Sequence, residues 1–199
     1  MTAAESGTGS LAGAAFGPYT TGEQTLALDL LPCFGPGMLV LADRKFLSWA
    51  LAREFLAAGA HILWRASASF TLTPVKVLAG GTYLAELTPP RAKDGPPLRV
   101  RVIEYTVHTA RQDGGDEETS ELFCLVTDLL DPGEHPALDL ACCYPRRWGC
   151  EVVHRWHMSS CSGFSRLPRS FLSGFLASRR ESRTAVVPGR ARPAFAQLS

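Results

Sequence analysis

The sequence predicts an α/β fold in which a βαβ unit is followed by a β-rich stretch, and three observations carry that prediction. Gly37-Met-Leu-Val-Leu-Ala42 is a continuous apolar run bounded by Gly-Pro-Gly, as a central parallel strand buried on both faces requires. Phe46 to Ala58 then places apolar residues at helical spacing and ends at Gly59, a natural C-terminal cap, before a second apolar run, His61-Ile-Leu-Trp-Arg65. From Ser67 onward the texture changes to short alternating runs separated by proline and glycine.

Taken in order, Ser10 to Phe16 is small and apolar and stops at Gly17-Pro18, which fits a short strand entering a loop. From Thr20 the pattern predicts a helix, with Thr20 and Glu23 at capping-box spacing and Pro32 ending it. The alternating runs are Phe70 to Leu72, Val75 to Leu78, Thr82 to Leu87, Leu98 to His108 and Glu121 to Thr127. Pro89-Pro90, Gly95-Pro96-Pro97 and Gly114-Gly115 mark the turns between them. Pro136 to about His154 fits a helix interrupted near Pro145, on which Tyr144, Arg147, Trp148 and Glu151 fall close to one face. Beyond Trp156 periodicity is lost, apart from an apolar patch at Phe171 to Leu176, and the chain becomes rich in Arg, Ser, Pro and Ala.

With 199 residues the chain is long enough for one ordinary core. A hydrophobic share of 46% and a charged share of 20% exclude a disordered or fibrous protein. The near-neutral total hides an asymmetry. Eight arginines and only Glu181 lie from Val152 on, which leaves 12 basic against 18 acidic residues in the first 151. A basic tail on an acidic body fits either a polyanionic partner or a solvated end. All three lysines, Lys45, Lys76 and Lys93, precede the tail, a composition that a GC-rich gene read out of frame would also yield. The six cysteines form no CxxC pair, and the five histidines do not cluster at metal spacing. No signal-peptide pattern and no apolar run of membrane-spanning length is present, so a cytoplasmic protein without a membrane partner is expected. The absence of a Gly-x-Ser-x-Gly elbow removes the simplest α/β-hydrolase reading.

Asp43 stands at the carboxyl end of the first predicted parallel strand, and in open α/β sheets functional groups gather outside those ends. The competing reading is that Asp43 merely caps the helix that starts near Phe46.

Three segments, Gly17-Pro-Tyr-Thr-Thr-Gly-Glu-Gln-Thr-Leu-Ala27, Gly37-Met-Leu-Val-Leu-Ala-Asp-Arg-Lys-Phe46 and Tyr144-Pro-Arg-Arg-Trp-Gly-Cys-Glu151, resemble the core of bacterial insertion-sequence-four-type DDE transposases over roughly residues 8 to 151. That family carries an Asp-Arg-(x)-Phe/Tyr segment around its second acidic residue and a Tyr-(2)-Arg-(3)-Glu-(6)-Lys signature around its third. Tyr144, Arg147 and Glu151 fit the first three places of the signature, and Met158 holds the place of the Lys.

The resemblance implies an incomplete ribonuclease-H-like core with a β-rich insertion. Its divisions are 1–66 for the partial core, 67–130 for the insertion, 131–156 for a returning helix and 157–199 for an irregular Arg-rich tail, out of frame if the reading slipped after Trp148. It further implies DNA cleavage and strand transfer through Mg²⁺, with Asp43 and Glu151 as catalytic metal ligands, since two hard cations stabilise the attacking and leaving oxygens of an in-line displacement. Tyr144, Arg147 and Arg44 would bind DNA, or Tyr144 and Arg147 would position the carboxylate; Arg147 read without the resemblance is a surface cation or an i+4 partner of Glu151. The implied partners are DNA, as the terminal repeats of a parent element, and an intact transposase subunit with which the chain would interfere.

The family's first Asp lies upstream of the Gly-Pro-Tyr segment, and neither Glu5 nor Asp29 replaces it convincingly, so loss of strand-transfer activity is expected. A non-catalytic DNA-binding role is the alternative. Trp64, Arg65, Arg99 and Arg101 fit DNA contacts or, more plainly, a core Trp and surface cations.

Overall fold

The computed structural model describes residues 1–67, 70–106, 108–109, 118–119, 122–147 and 194–198. Strands β1 (Thr2–Glu5) and β2 (Leu11–Ala14) form an antiparallel hairpin with an irregularity between Ala3 and Ala4. The Glu5 carboxylate closes the turn by accepting from the Gly7 and Thr8 amides at 2.8 and 2.7 Å. Helix α1 (Glu23–Asp29) is shorter than predicted. Gly22 stands at its N-cap with no side-chain cap bond, so the Thr20/Glu23 capping box does not form. Pro32 sits in a 3₁₀ turn, Leu31–Cys33, which ends the helical path as expected.

The βαβ unit is close to its sequence prediction. Strand β3 is Met38–Ala42, α2 is Trp49–Ala57 and β4 is His61–Arg65. The helix starts later than Phe46 because the Phe46 amide first closes a turn on the Asp43 carbonyl at 3.0 Å. Ser48 caps the helix instead, its hydroxyl accepting from the Leu51 amide at 3.3 Å. At the other end Gly59 takes φ +84°, and a Cβ there would lie 2.9 Å from Pro36 Cγ. A side chain would therefore strain the backbone and collide with the loop that feeds β3.

The β-rich stretch continues the same sheet. It supplies β5 (Pro74–Val77), β6 (Tyr83–Leu87), β7 (Leu98–Tyr105), a ribbon of β8 (His108–Thr109) with β9 (Glu118–Thr119), and β10 (Phe123–Thr127). Phe70 to Leu72 forms no strand. Helix α3 (Ala137–Cys143) runs into a 3₁₀ turn, Tyr144–Arg147, where Pro145 forbids a continued α-helical bond. Ala194–Leu198, inside the stretch expected to be irregular, forms strand β11.

The nine-stranded sheet runs β2-β1-β11-β3-β4-β10-β7-β6-β5. Only the β11/β3 and β3/β4 pairs are parallel, and every other neighbouring pair is antiparallel. Strand β3 is buried on both faces, and its alternation divides the core. Val40 and Ala42 join the cluster of Phe34, Phe55, Ile62 and Trp64 under α2. Leu39 and Leu41 join Leu63, Ile103, Leu125, Leu140 and Tyr144 under α3. Phe55 is wholly buried, tilted against Phe34 at 5.1 Å and edge-on to Trp64 at 5.5 Å.

Candidate functional site at the carboxyl end of β3

Strand β3 delivers Asp43 to its carboxyl end, as the sequence predicts, and the capping alternative falls away because Ser48 caps α2. The loop that carries Asp43 is braced from α1: Gln24 Nε2 donates to the Lys45 carbonyl at 2.9 Å, Ser48 donates to Gln24 Oε1 at 3.0 Å, and Lys45 pairs with Glu23 at 3.1 Å. Asp43 Oδ1 accepts from the Arg44 amide at 2.7 Å, while the Arg44 side chain is exposed.

Two residues of the returning segment converge on this strand end. The Tyr144 hydroxyl donates to the Ala42 carbonyl at 3.3 Å, and Arg147 Nη2 lies 3.8 Å from Asp43 Oδ2. The Arg147 guanidinium also stands 5.6 Å from the centre of the Tyr144 ring. The exposures differ: 5% for the Arg147 side chain against 34% for that of Asp43. Tyr144 is buried as well, and burial pushes its phenol up to about 12, with Arg147 acting in the opposite direction and Asp43 reinforcing the rise. The pair is thus built from inside the fold, with the carboxylate edge left towards solvent.

Beside them lies a group that the sequence reading did not single out as a unit. Arg65, at the end of β4, places its guanidinium 4.4 Å from the centre of the Phe123 ring, and Phe123 stacks on Tyr105 at 5.2 Å with 16° between the planes. The β10/β7 register pairs Phe123 with Tyr105 directly, so strand alternation could have revealed this stack once the register was known. Trp64 is fully buried and belongs to the core. Arg101 is likewise wholly buried, donating to Thr82 Oγ1 at 3.0 Å and to the His135 carbonyl at 2.6 Å, so it is not a surface cation. Arg99 remains exposed, 3.9 Å from Glu86.

Glu151, Trp148 and Met158 lie outside the described residues. Among the described residues no group of three or more His, Cys, Asp or Glu could hold a metal ion. Mg²⁺ selects several oxygen donors, and among the described residues the group that pairs with Asp43 is the Arg147 guanidinium. The described residues therefore do not fit the pair of Mg²⁺ ions that the resemblance implies. A cleft of about 270 Å³ lined by Gly37, His61, His135, Asp139 and Cys143 lies at the opposite, amino-terminal end of β3 and β4. No described helix is long and apolar enough to cross a membrane.

These elements define a mixed α/β protein with an acid-bearing strand end. The chain is similar to the transposase InsG for insertion sequence element IS4 of Escherichia coli strain K12, with 27% identity over 150 residues. The match covers 73% of this chain and 32% of that relative, so the chain spans about a third of its length. The homology is distant and agrees with the family that the sequence motifs resemble. No protein-family model matches the chain, and no solved structure matches it.

Proposed function

We propose that this chain is a segment of a DDE-class transposase catalytic core, ribonuclease-H-like in plan, that binds DNA at the Asp43 end of the sheet and does not itself cut or join it. The observation that carries the reading is the convergence of Tyr144 and Arg147 on the end of β3, in the order and spacing of the family's third-acid signature. Because both are buried, they act as positioning residues for Asp43 rather than as contacts for phosphate. The DNA-facing cations are then Arg44, exposed next to Asp43, and Arg65, held over the Phe123 ring near the same strand end. Asp43 with a guanidinium at 3.8 Å gives the described site one carboxylate where phosphoryl transfer by two metals needs several, and no catalytic step is assigned to it.

The test is fluorescence anisotropy of the purified chain with a labelled short DNA duplex and with the matching single strand, over a salt series. Each lost phosphate contact lowers the slope of log K against log salt by about 0.9 for duplex DNA. Arg44→Ala and Arg65→Ala are each expected to weaken binding and flatten that slope. Absence of binding at low salt would sink the DNA-binding reading, and Mg²⁺-dependent nicking of the duplex would sink the claim that the chain does not cut.

A further inference from the structure

One interior strand of the sheet comes from the far end of the chain. β11 is hydrogen-bonded on both sides: antiparallel to β1, with Ala3, Ala4 and Glu5 opposite Leu198, Gln197 and Ala196, and parallel to β3, with Met38 to Leu41 opposite Ala194 to Gln197. Strands β1 and β3 do not pair with each other. Without β11 the β1/β2 hairpin loses its link to the sheet, and both β1 and β3 present a row of unsatisfied amides and carbonyls. With β11 in place these edges lie in the interior, where Ala3, Ala4, Leu39, Val40 and Leu41 are all buried. Unpaired backbone in such a place is strongly unfavourable, so the gap demands an extended occupant.

We infer that the gap between β1 and β3 is a peptide-binding slot for one extended segment, and that this chain's own residues 194–198 occupy it as a detachable strand held in cis. Recognition is by main-chain hydrogen bonds on two sides, the mode by which extended peptides add to open sheet edges. The strand belongs to the same chain as the slot, so a free peptide has to displace a covalently linked competitor. A free peptide therefore binds an emptied slot more readily than a filled one. The inference does not depend on DNA binding.

The test uses the full chain. Ala196→Pro removes a ladder amide from the middle of β11. Hydrogen exchange by mass spectrometry should then rise at least tenfold in residues 2–5 and 38–42 and stay low in β6, β7 and β10. A synthetic peptide of residues 193–199 should restore protection to the variant, and the same peptide carrying Pro in place of Ala196 should not. Equal protection of both edges in the variant and the parent chain would overturn the inference, as would failure of the peptide to rescue a variant that keeps β6, β7 and β10 protected. For the case in which Ala196→Pro does not fold, the double variant Ala4→Cys with Gln197→Cys gives an independent reading, since opposed antiparallel residues lie within disulfide reach. A 4–197 disulfide in the monomer supports a strand held in cis. A disulfide found only in dimers, or none, refutes it.

Discussion

Replacing Asp43 by Asn keeps the shape of the strand end and removes the charge that faces Arg147. The guanidinium is 3.8 Å away and its side chain is 5% exposed, so the substitution removes one counter-charge from a cation held in the interior. At an effective dielectric of about 20, unit charges at that separation interact by about 4 kcal/mol. Asp43 is one-third exposed, and solvent screening reduces the net effect to about 1–2 kcal/mol. With a urea slope of about 2 kcal/mol/M, the unfolding midpoint should fall by about 0.5–1 M. Arg147→Met removes the cation while retaining apolar bulk, and Asp43→Asn in that background should cost almost nothing. The cycle would then show a coupling energy close to the single Asp43→Asn loss. If Asp43→Asn unfolds at the same urea concentration as the parent, or if the two changes simply add, Arg147 does not hold Asp43 and the positioning role assigned to it is wrong.

Alkaline titration gives a second check: burial raises Tyr83, Tyr105 and Tyr144, the last to about 12, so the unfolded chain loses these protons first and stability should fall from about pH 10 towards pH 12, less steeply in Tyr144→Phe. Tyrosines that ionise in the folded chain at the ordinary value near 10 would contradict this. Phe55→Ala should cost about 3–5 kcal/mol in denaturant unfolding, since it empties the contact between Phe34 and Trp64; a loss below about 1 kcal/mol would mean that α2 does not seat there. Asp128→Ala removes the bonds from the Ile62 amide at 2.8 Å and to His61 Nδ1 at 2.7 Å, and faster hydrogen exchange at the start of β4 should report it. Thiol labelling should be quick at exposed Cys142 and slow at Cys124, whose thiol burial pushes up to about 11; the reverse order would show that Cys124 is accessible.

The βαβ unit was legible because its signals are local. An unbroken apolar run bounded by Gly37, a helical stripe ending at Gly59 and a second run to Arg65 each fit only one kind of element. The start of α2 was missed by three residues because the Asp43–Phe46 turn has its own hydrogen bond, which periodicity does not register. Strand identities in the β-rich stretch were mostly readable from alternation, but their membership in the same sheet was not, since the β10/β4 pairing rests on contacts distant in sequence. The same limit applies to charge. Arg101 looks like its neighbour Arg99 in an alternating strand, and only the Thr82 hydroxyl and His135 carbonyl distinguish the buried cation from the exposed one. At the site, spacing brought Tyr144 and Arg147 to one helical face, whereas their approach to Ala42 and Asp43 depends on how the returning segment lies across β3.

The position of β11 also sets an order of events in folding. Ala3 meets Gly13 across ten residues in the hairpin but meets Leu198 across 195. Closing the longer loop costs about 2.6 kcal/mol more in chain entropy by the logarithmic loop law. The hairpin and the βαβ unit can therefore form early as separate local structures, and the last strand to enter is the one that lies between them. Refolding should show a slow phase that reports on β1 and β3 together, because neither ladder is complete until a single distant segment satisfies both.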